Sequence, residues 1–265
     1  MSESFDVVLF GLQGFGNVLI ETVSQHPRCR IRHVYTRAQV HCFRYYPSEP
    51  IEALCRRLGH PWSHVPEKGP WQAEAADLAL VSSFHRILQA DHLAAYTHAI
   101  NLHPSLLPAY GGATPTTWQV RNGELISGLS AHRLTADIDG GDILYRQPVL
   151  NPGLSDAELR FSLAFASAGL IGRICDDYPD FPLLEPATPA AIQPPRRADD
   201  AILELAELQD PLQLARHIKA FTNYPMPRLR LPDGRCFVID YARPQALLEI
   251  VLQGKAIEIL GYWES

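Results

Sequence analysis

The sequence has no apolar run long enough to span a bilayer, no C-x-x-C pair, no internal repeat and no excess of positive charge. Each absence removes a class of protein. A membrane helix needs about 20 consecutive apolar residues, and no stretch provides them. The opening MSESFDVVLF has no basic segment ahead of its apolar residues, so no signal peptide is expected and the cytoplasm is the default location. Cysteines at 29, 42, 55, 175 and 236 are odd in number and show no pairing pattern, which reads as free thiols in a reducing compartment. Neither they nor the 11 histidines form a ligand cluster along the chain, so no metal is expected. With 23 Lys plus Arg against 29 Asp plus Glu, the net charge of -6 has the wrong sign for a surface built to hold a polyanion such as tRNA.

What is present is an ordinary globular composition, 46% apolar and 20% charged, in 265 residues, enough for one large domain and one small one. Phe5 to Phe10 is an apolar run followed by Gly11, Gly14 and Gly16 and then by helical character from Val18 to Val23. Strand, Gly-rich turn and helix open a doubly wound α/β domain, with a mostly parallel sheet. The glycines are spaced G-x-x-G-x-G rather than G-x-G-x-x-G, and the second strand, Ile31 to Arg37, ends on no acidic residue. The turn is open to three readings: a dinucleotide site, a tight turn, or amides at a helix N-terminus that hold a phosphate. Residues 37–49 form a polar and aromatic loop whose Arg44, Tyr45 and Tyr46 either reach a substrate or lie on the surface.

Further along, helices are expected over Pro50–Leu58, Ala90–Tyr96, Thr116–Asn122 and from the Ser155–Glu158 capping box to about Cys175. Strands are expected over Leu78–Val81, Ala99–Leu102, Ser127–Leu134 and Asp142–Val149. Six prolines between Pro179 and Pro195 mark a linker or strap. A helix over Pro211–Ala220 and hairpins over Leu229–Tyr241 and Leu247–Leu260 follow. The expected organisation is a catalytic domain over residues 1–180, a Pro-rich linker over 181–204 and a small β-rich domain over 205–265.

The chemistry concentrates between Asn101 and Leu144. Asn101 and His103 are two apart at the end of a strand and so project from one face. The amide can donate to a developing oxyanion, and the imidazole can donate or move a proton. Asp139, in an Asp-Gly-Gly-Asp loop, offers a carboxylate to orient the imidazole or take the final proton. These parts suffice for acyl transfer without a covalent intermediate.

Asn101-Leu-His-Pro-Ser-Leu-Leu-Pro108 with Ala136-Asp-Ile-Asp139-Gly-Gly resembles the folate-dependent formyltransferases, a family that includes glycinamide ribonucleotide, methionyl-tRNA and nucleotide-sugar N-formyltransferases. Phe84-His-Arg-Ile-Leu88 resembles the family's pterin-holding segment, and Ile218 to Pro227 resembles the entry to the C-terminal domain of its tRNA and sugar members. One departure is Gly111-Gly112, where many members have an Arg before the Gly.

The resemblance implies N10-formyltetrahydrofolate as donor and a primary amine as acceptor. It implies Asn101, His103 and Asp139 as the catalytic residues, with a protonated His103 supporting the oxyanion. Folate contacts would come from Phe84, Arg86, Ile87, Leu88, Ala136, Asp137, Ile138, Gly140 and Gly141. A nucleotide-linked amino sugar is the acceptor that fits best. From residue 191 onward nine Lys plus Arg face ten Asp plus Glu, which disfavours tRNA. The alternatives are another small amine, such as a hydroxyornithine-type precursor, methionyl-tRNA, or water in a formyltetrahydrofolate hydrolase. A homodimer is expected.

Overall fold

A computed structural model describes residues 3–38, 48–188, 191–208, 211–222, 225–244, 251–252 and 255–264, the side chains of 211 and 240–264 excepted. Arg44, Tyr45, Tyr46 and Cys42 lie outside the described residues.

In chain order the elements are β1 (Phe5–Gly11), α1 (Phe15–Gln25), β2 (Cys29–Thr36), α2 (Ile51–Leu58), β3 (Trp62–His64), β4 (Ala76–Ser82), α3 (Ala90–Leu93), β5 (Tyr96–His103), β6 (Gly111–Gly112), α4 (Pro115–Asn122), β7 (Ile126–Arg133), β8 (Ile143–Leu150) and α5 (Asp156–Asp177). They are followed by β9 (Ile192–Gln193), β10 (Ile202–Glu204), α6 (Pro211–Ala220), β11 (Arg228–Arg230), β12 (Cys236–Pro244), β13 (Val251–Leu252) and β14 (Lys255–Glu264).

The chain divides into two compact units that do not run consecutively. The first comprises residues 1–112, 127–149 and 161–192; the second comprises 113–126, 150–160 and 193–265.

The first unit is built on a seven-stranded sheet in the order β3-β2-β1-β4-β5-β7-β8. From β3 to β5 neighbours pair in parallel, and β7 runs antiparallel to β5. This is the mostly parallel α/β sheet expected from the opening strand, turn and helix. Val7, Val8, Leu9 and Phe10 are all fully buried, because a central parallel strand is covered on both faces and has no use for polar alternation. At the Gly-rich turn, a Cβ on Gly11 would lie 2.7 Å from the Gly16 backbone, so the glycines let α1 close on β1. Asn17 Oδ1 accepts from the Gly14 amide at 2.8 Å, which caps the helix start from within the chain. α2 buries Ile51, Leu54 and Cys55 at helical spacing and stops at Gly59, whose φ of 76° suits a residue without Cβ. α5 opens on the expected box: Ser155 N donates to Glu158 Oε2 (2.8 Å) and Glu158 N to Ser155 Oγ (3.3 Å).

One boundary differs from expectation. The helix anticipated over Ala90–Tyr96 is only Ala90–Leu93, and Tyr96 begins β5. Tyr96 pairs with Ala76 and is buried against Phe10, so sheet packing overrides the local helical pattern.

The second unit carries a five-stranded sheet in the order β10-β11-β12-β14-β13. Leu203, Leu205, Leu208, Leu214, Ile218, Leu229 and Ile239 form its core. The Leu229 hairpin pairs antiparallel with Leu229 opposite Phe237. Of the second hairpin, Val251–Leu252 pairs with Lys255–Ala256, and the stretch 245–250 lies outside the described residues. Among the described residues, no helix is long and apolar enough to cross a membrane.

Candidate active site

β5 ends on the pair that the sequence singles out. Asn101 and His103 fall on one face, and in the antiparallel register with β7 they lie opposite His132 and Ser130. His132 and Ser130 are also two apart, so four polar side chains meet across two strands. His103, Ser130 and His132 are buried and Asn101 is half-buried.

Ser130 fixes the turn after β5. Its hydroxyl donates to Ser105 O (2.8 Å) and accepts from Leu107 N (3.0 Å). Ser105 Oγ donates to Ala109 O (2.7 Å), bending the chain back toward the strand end. The bend delivers Tyr110 O to His103 Nε2 at 2.8 Å. A carbonyl only accepts, so Nε2 carries the hydrogen and Nδ1 is left facing the carboxylate of Asp139 Oδ2 at 3.4 Å. Tyr110 (φ 56°) and Asp139 (φ 51°) both sit in the left-handed region. Both are non-glycine residues in a conformation that L side chains seldom adopt, one in the turn after β5 and one in the loop after β7.

His132 adopts the complementary tautomer. Nδ1 donates to Arg133 O (3.0 Å), leaving Nε2 to accept from the Asn101 amide at 3.1 Å. Asp139 Oδ1 stands 3.4 Å from the same Nε2. Asp139 thus lies between two imidazoles, and its Oδ2 accepts from the Gly112 amide at 2.7 Å. Gly112 has φ 89°, a conformation that a side chain would strain. Gly112 thus turns its amide onto the carboxylate, while the departure from the family's pattern lies one residue earlier, at Gly111.

The electrostatics follow from burial. Burial alone would raise the Asp139 pKa, but the neighbouring His132 and His103 imidazoles and the Gly112 amide outweigh it and pull it down to about 2. His103 goes the other way from expectation. Burial pushes it below the ordinary imidazole value, and the opposing charge of Asp139 does not reverse the shift. The desolvation of a ring only 4% exposed exceeds the attraction of one carboxylate, which weighs against the protonated His103 that the resemblance implies.

The remaining candidates fall into two segments. Phe84 to Leu88 follows β4, which is paired with β5 through Ser82 and Leu102. Phe84 packs edge-on to Phe10, Leu88 is buried in the core, and Ile87 is 60% exposed. The Arg86 guanidinium is committed to backbone, donating to Pro66 O (2.7 Å) and Gly69 O (3.2 Å). In the second segment Ala136, Asp137 and Ile138 are exposed around Asp139. Gly140 N approaches Asp137 O at 3.4 Å, and a Cβ on Gly141 would lie 2.0 Å from Arg133 O.

Sequence reasoning missed His132, Gly112 and the Tyr110 carbonyl. Only the antiparallel placement of β7 beside β5 reveals His132, which the alternation of Ser127–Leu134 presents as one polar residue among several.

Residues 65–160 match the formyl transferase family. The segment holds Asn101, His103, Gly112, His132 and Asp139. The chain is 31% identical over 156 residues to methionyl-tRNA formyltransferase from Campylobacter fetus subsp. fetus, which covers 58% of this chain and 50% of the relative. It spans about half the length of the curated relatives it matches first. Among solved structures, a 4-N formyltransferase from Francisella tularensis superposes with a TM-score of 0.67 at 14% identity, over 89% of this chain and 96% of the other. WlaRD, a sugar 3N-formyl transferase solved in the presence of dTDP and 5-N-formyl-THF, gives 0.68 at 12% identity, over 92% and 88%. The resemblance read from Asn101–Pro108 and Asp139–Gly141 therefore stands: residues 65–160 match the formyl transferase family, and the chain shares the fold of solved formyltransferases.

Proposed function

We propose that this chain moves a formyl group from N10-formyltetrahydrofolate to the primary amine of a nucleotide-linked amino sugar. One observation carries the transfer chemistry: Asn101, His103 and Asp139 converge, with His132 seated between Asn101 and Asp139.

The amine attacks the formyl carbon, the carbonyl oxygen becomes an oxyanion, and the nitrogen must lose a proton before N10 leaves. Asn101 Nδ2 has one hydrogen engaged by His132 and a second for the oxyanion. The proton goes to the Asp139–His103 pair, which passes it on to N10 as the C–N10 bond breaks, so that the formamide and tetrahydrofolate leave and the pair is restored. A carboxylate with a pKa of about 2 is a poor final store, but the neutral Nδ1 of His103 is a better one, and the resulting imidazolium would be stabilised by Asp139 3.4 Å away. His103 is thus assigned as proton acceptor in place of oxyanion donor.

For the donor, Phe84, Arg86, Ile87, Leu88, Ala136, Asp137, Ile138, Gly140 and Gly141 remain the proposed folate segments. Backbone groups make the contacts, and the exposed Ile87 and Ile138 are apolar surface that a flat ring would cover.

The acceptor rests on charge and on fold likeness: a net charge of -6 and the superposition on a sugar formyltransferase solved with dTDP. Methionyl-tRNA is the second reading, because the first curated relatives are methionyl-tRNA formyltransferases, a similarity that weighs against disfavouring tRNA on charge alone. Water as acceptor, giving formate, would make the chain a hydrolase. Residues 205–265, which belong to the second unit, are assigned to homodimer formation, in a cytoplasmic protein.

The test is incubation of the purified chain with N10-formyltetrahydrofolate and a panel of dTDP- and UDP-linked amino sugars, methionyl-tRNA, or buffer alone. Formylated sugar and tetrahydrofolate in equal amounts are expected. Formyl-methionyl-tRNA would favour the second reading, and formate without any amine would identify a hydrolase.

A further inference from the structure

At the end of the strands opposite the catalytic residues, His26, Cys29 and Cys175 bring three donor atoms within 4.8 Å of one another. Asn101 and His103 lie at the C-terminal end of β5, whereas Cys29 is the first residue of β2, beside Phe5 at the start of β1. The cluster therefore takes no part in the chemistry proposed above. Along the sequence no ligand cluster is visible, because Cys175 comes from the last turns of α5.

The local structure builds the cluster. Cys29 N donates to His26 O at 3.1 Å, closing a turn that sets the two side chains together, with Nδ1 3.4 Å from Sγ. A tetrahedral zinc with Zn–S of about 2.3 Å and Zn–N of about 2.1 Å would hold these atoms about 3.6 Å apart. Arg28, inside the same turn, fastens it to the end of α5 by donating to Asp176 O and Tyr178 O, both at 2.8 Å. The donor geometry is thus fixed by backbone contacts. The far nitrogen of His26, Nε2, meets Asp176 Oδ1 at 3.0 Å. A carboxylate on the outer nitrogen of an imidazole fixes the tautomer that leaves Nδ1 bare, the arrangement that accompanies metal-bound histidine. Charges also balance. Two thiolates neutralise a divalent ion, and Asp176 offsets Arg28.

We propose that His26 Nδ1, Cys29 Sγ and Cys175 Sγ bind one zinc ion, with water in the fourth position and Asp176 as the outer carboxylate. The ion staples the start of β2 to the end of α5 within the first unit. Binding releases the two thiol protons to solvent and involves no redox step.

The full chain would be stripped with chelator under reducing conditions and reloaded with zinc or cobalt. About one zinc per chain is expected, with a melting temperature that rises with free zinc, and the cobalt form should show tetrahedral ligand-field bands with sulfur-to-metal charge transfer. Cys29→Ser should lose about half of the charge-transfer intensity per bound cobalt and bind the ion more weakly, and Asp176→Asn should weaken zinc affinity by about 10- to 100-fold. Cys175 is fully buried, so Cys175→Ala stands beside Cys29→Ser as the variant that keeps the packing apolar. The wild-type cobalt spectrum decides the matter even if both variants fold poorly. No stoichiometric metal on the wild-type chain, cobalt bound without sulfur charge transfer, or a Cys29–Cys175 disulfide forming on mild oxidation in a chain that takes up no metal would each overturn the proposal.

Discussion

At the scale of the residue, the site is a chain of tautomers set by two carbonyls. Tyr110 O fixes the proton of His103 on Nε2, and Arg133 O fixes that of His132 on Nδ1. If the neutral Nδ1 of His103 takes the amine proton, kcat/KM should rise from acid along a limb that lies below the ordinary imidazole value of about 6.5, since burial lowers the His103 pKa. Asp139 is the largest influence holding that pKa up, so Asp139→Asn should move the limb further toward acid. It should also cut turnover by about 100- to 10,000-fold, with folate binding retained. A normal rate and an unmoved limb in Asp139→Asn would make Asp139 a loop-shaping residue only. His132 does not face the reacting atoms in this mechanism; it positions the Asn101 amide. His132→Gln keeps an acceptor and should lose less than His132→Ala, which removes one hydrogen bond and should lower kcat by about 10-fold. KM for the folate donor should stay constant in both, and a change in KM alone would count against the positioning role.

At the scale of the element, the loop after β7 decides where Asp139 stands. Gly141 passes so close to Arg133 O that a Cβ would fall 2.0 Å from it. Gly141→Ala must therefore displace the loop; a loss of about 1–3 kcal/mol in denaturant titration is expected, together with activity. Stability unchanged with activity lost would mean that the loop moves without cost. Arg86 gives the contrasting prediction. Its guanidinium is spent on Pro66 O and Gly69 O, so Arg86→Ala should loosen the 66–69 loop but leave folate affinity within about tenfold, the value of one charged hydrogen bond. Folate binding measured by calorimetry checks it, and abolition with the fold intact would mean that the side chain itself holds the donor.

The same scale shows what was legible in the sequence. β1 and β4 were readable because buried parallel strands are continuous apolar runs, and α5 because Ser155 and Glu158 announce its start. Asn101 and His103 were readable as a pair because they share one strand. His132 was not, because its partner Asn101 is named by strand order, and β7 lies beside β5 through a long-range pairing that no local pattern encodes. The role of Gly112 was equally hidden, since a glycine amide leaves no side-chain signature.

At the scale of the whole molecule, the acceptor is a question of charge, and salt distinguishes the two readings. The chain carries 23 Lys plus Arg and 29 Asp plus Glu, with a net charge of -6. A protein that grips tRNA neutralises many phosphates and releases their counterions, so with 6–10 contacts affinity falls by about 1,000- to 100,000-fold between 50 and 200 mM salt. A nucleotide diphosphate sugar presents two phosphates, and the same reasoning gives a loss below about 10-fold over that range. The shallow dependence is expected for KM of the sugar acceptor, with excess uncharged tRNA a weak competitor. A steep salt dependence together with strong inhibition by tRNA would require a local basic surface that the net charge conceals. It would transfer the assignment to methionyl-tRNA while leaving the Asn101–His103–Asp139 chemistry as it stands, because formyl transfer asks only for a neutral amine at the carbonyl carbon and is indifferent to what carries it.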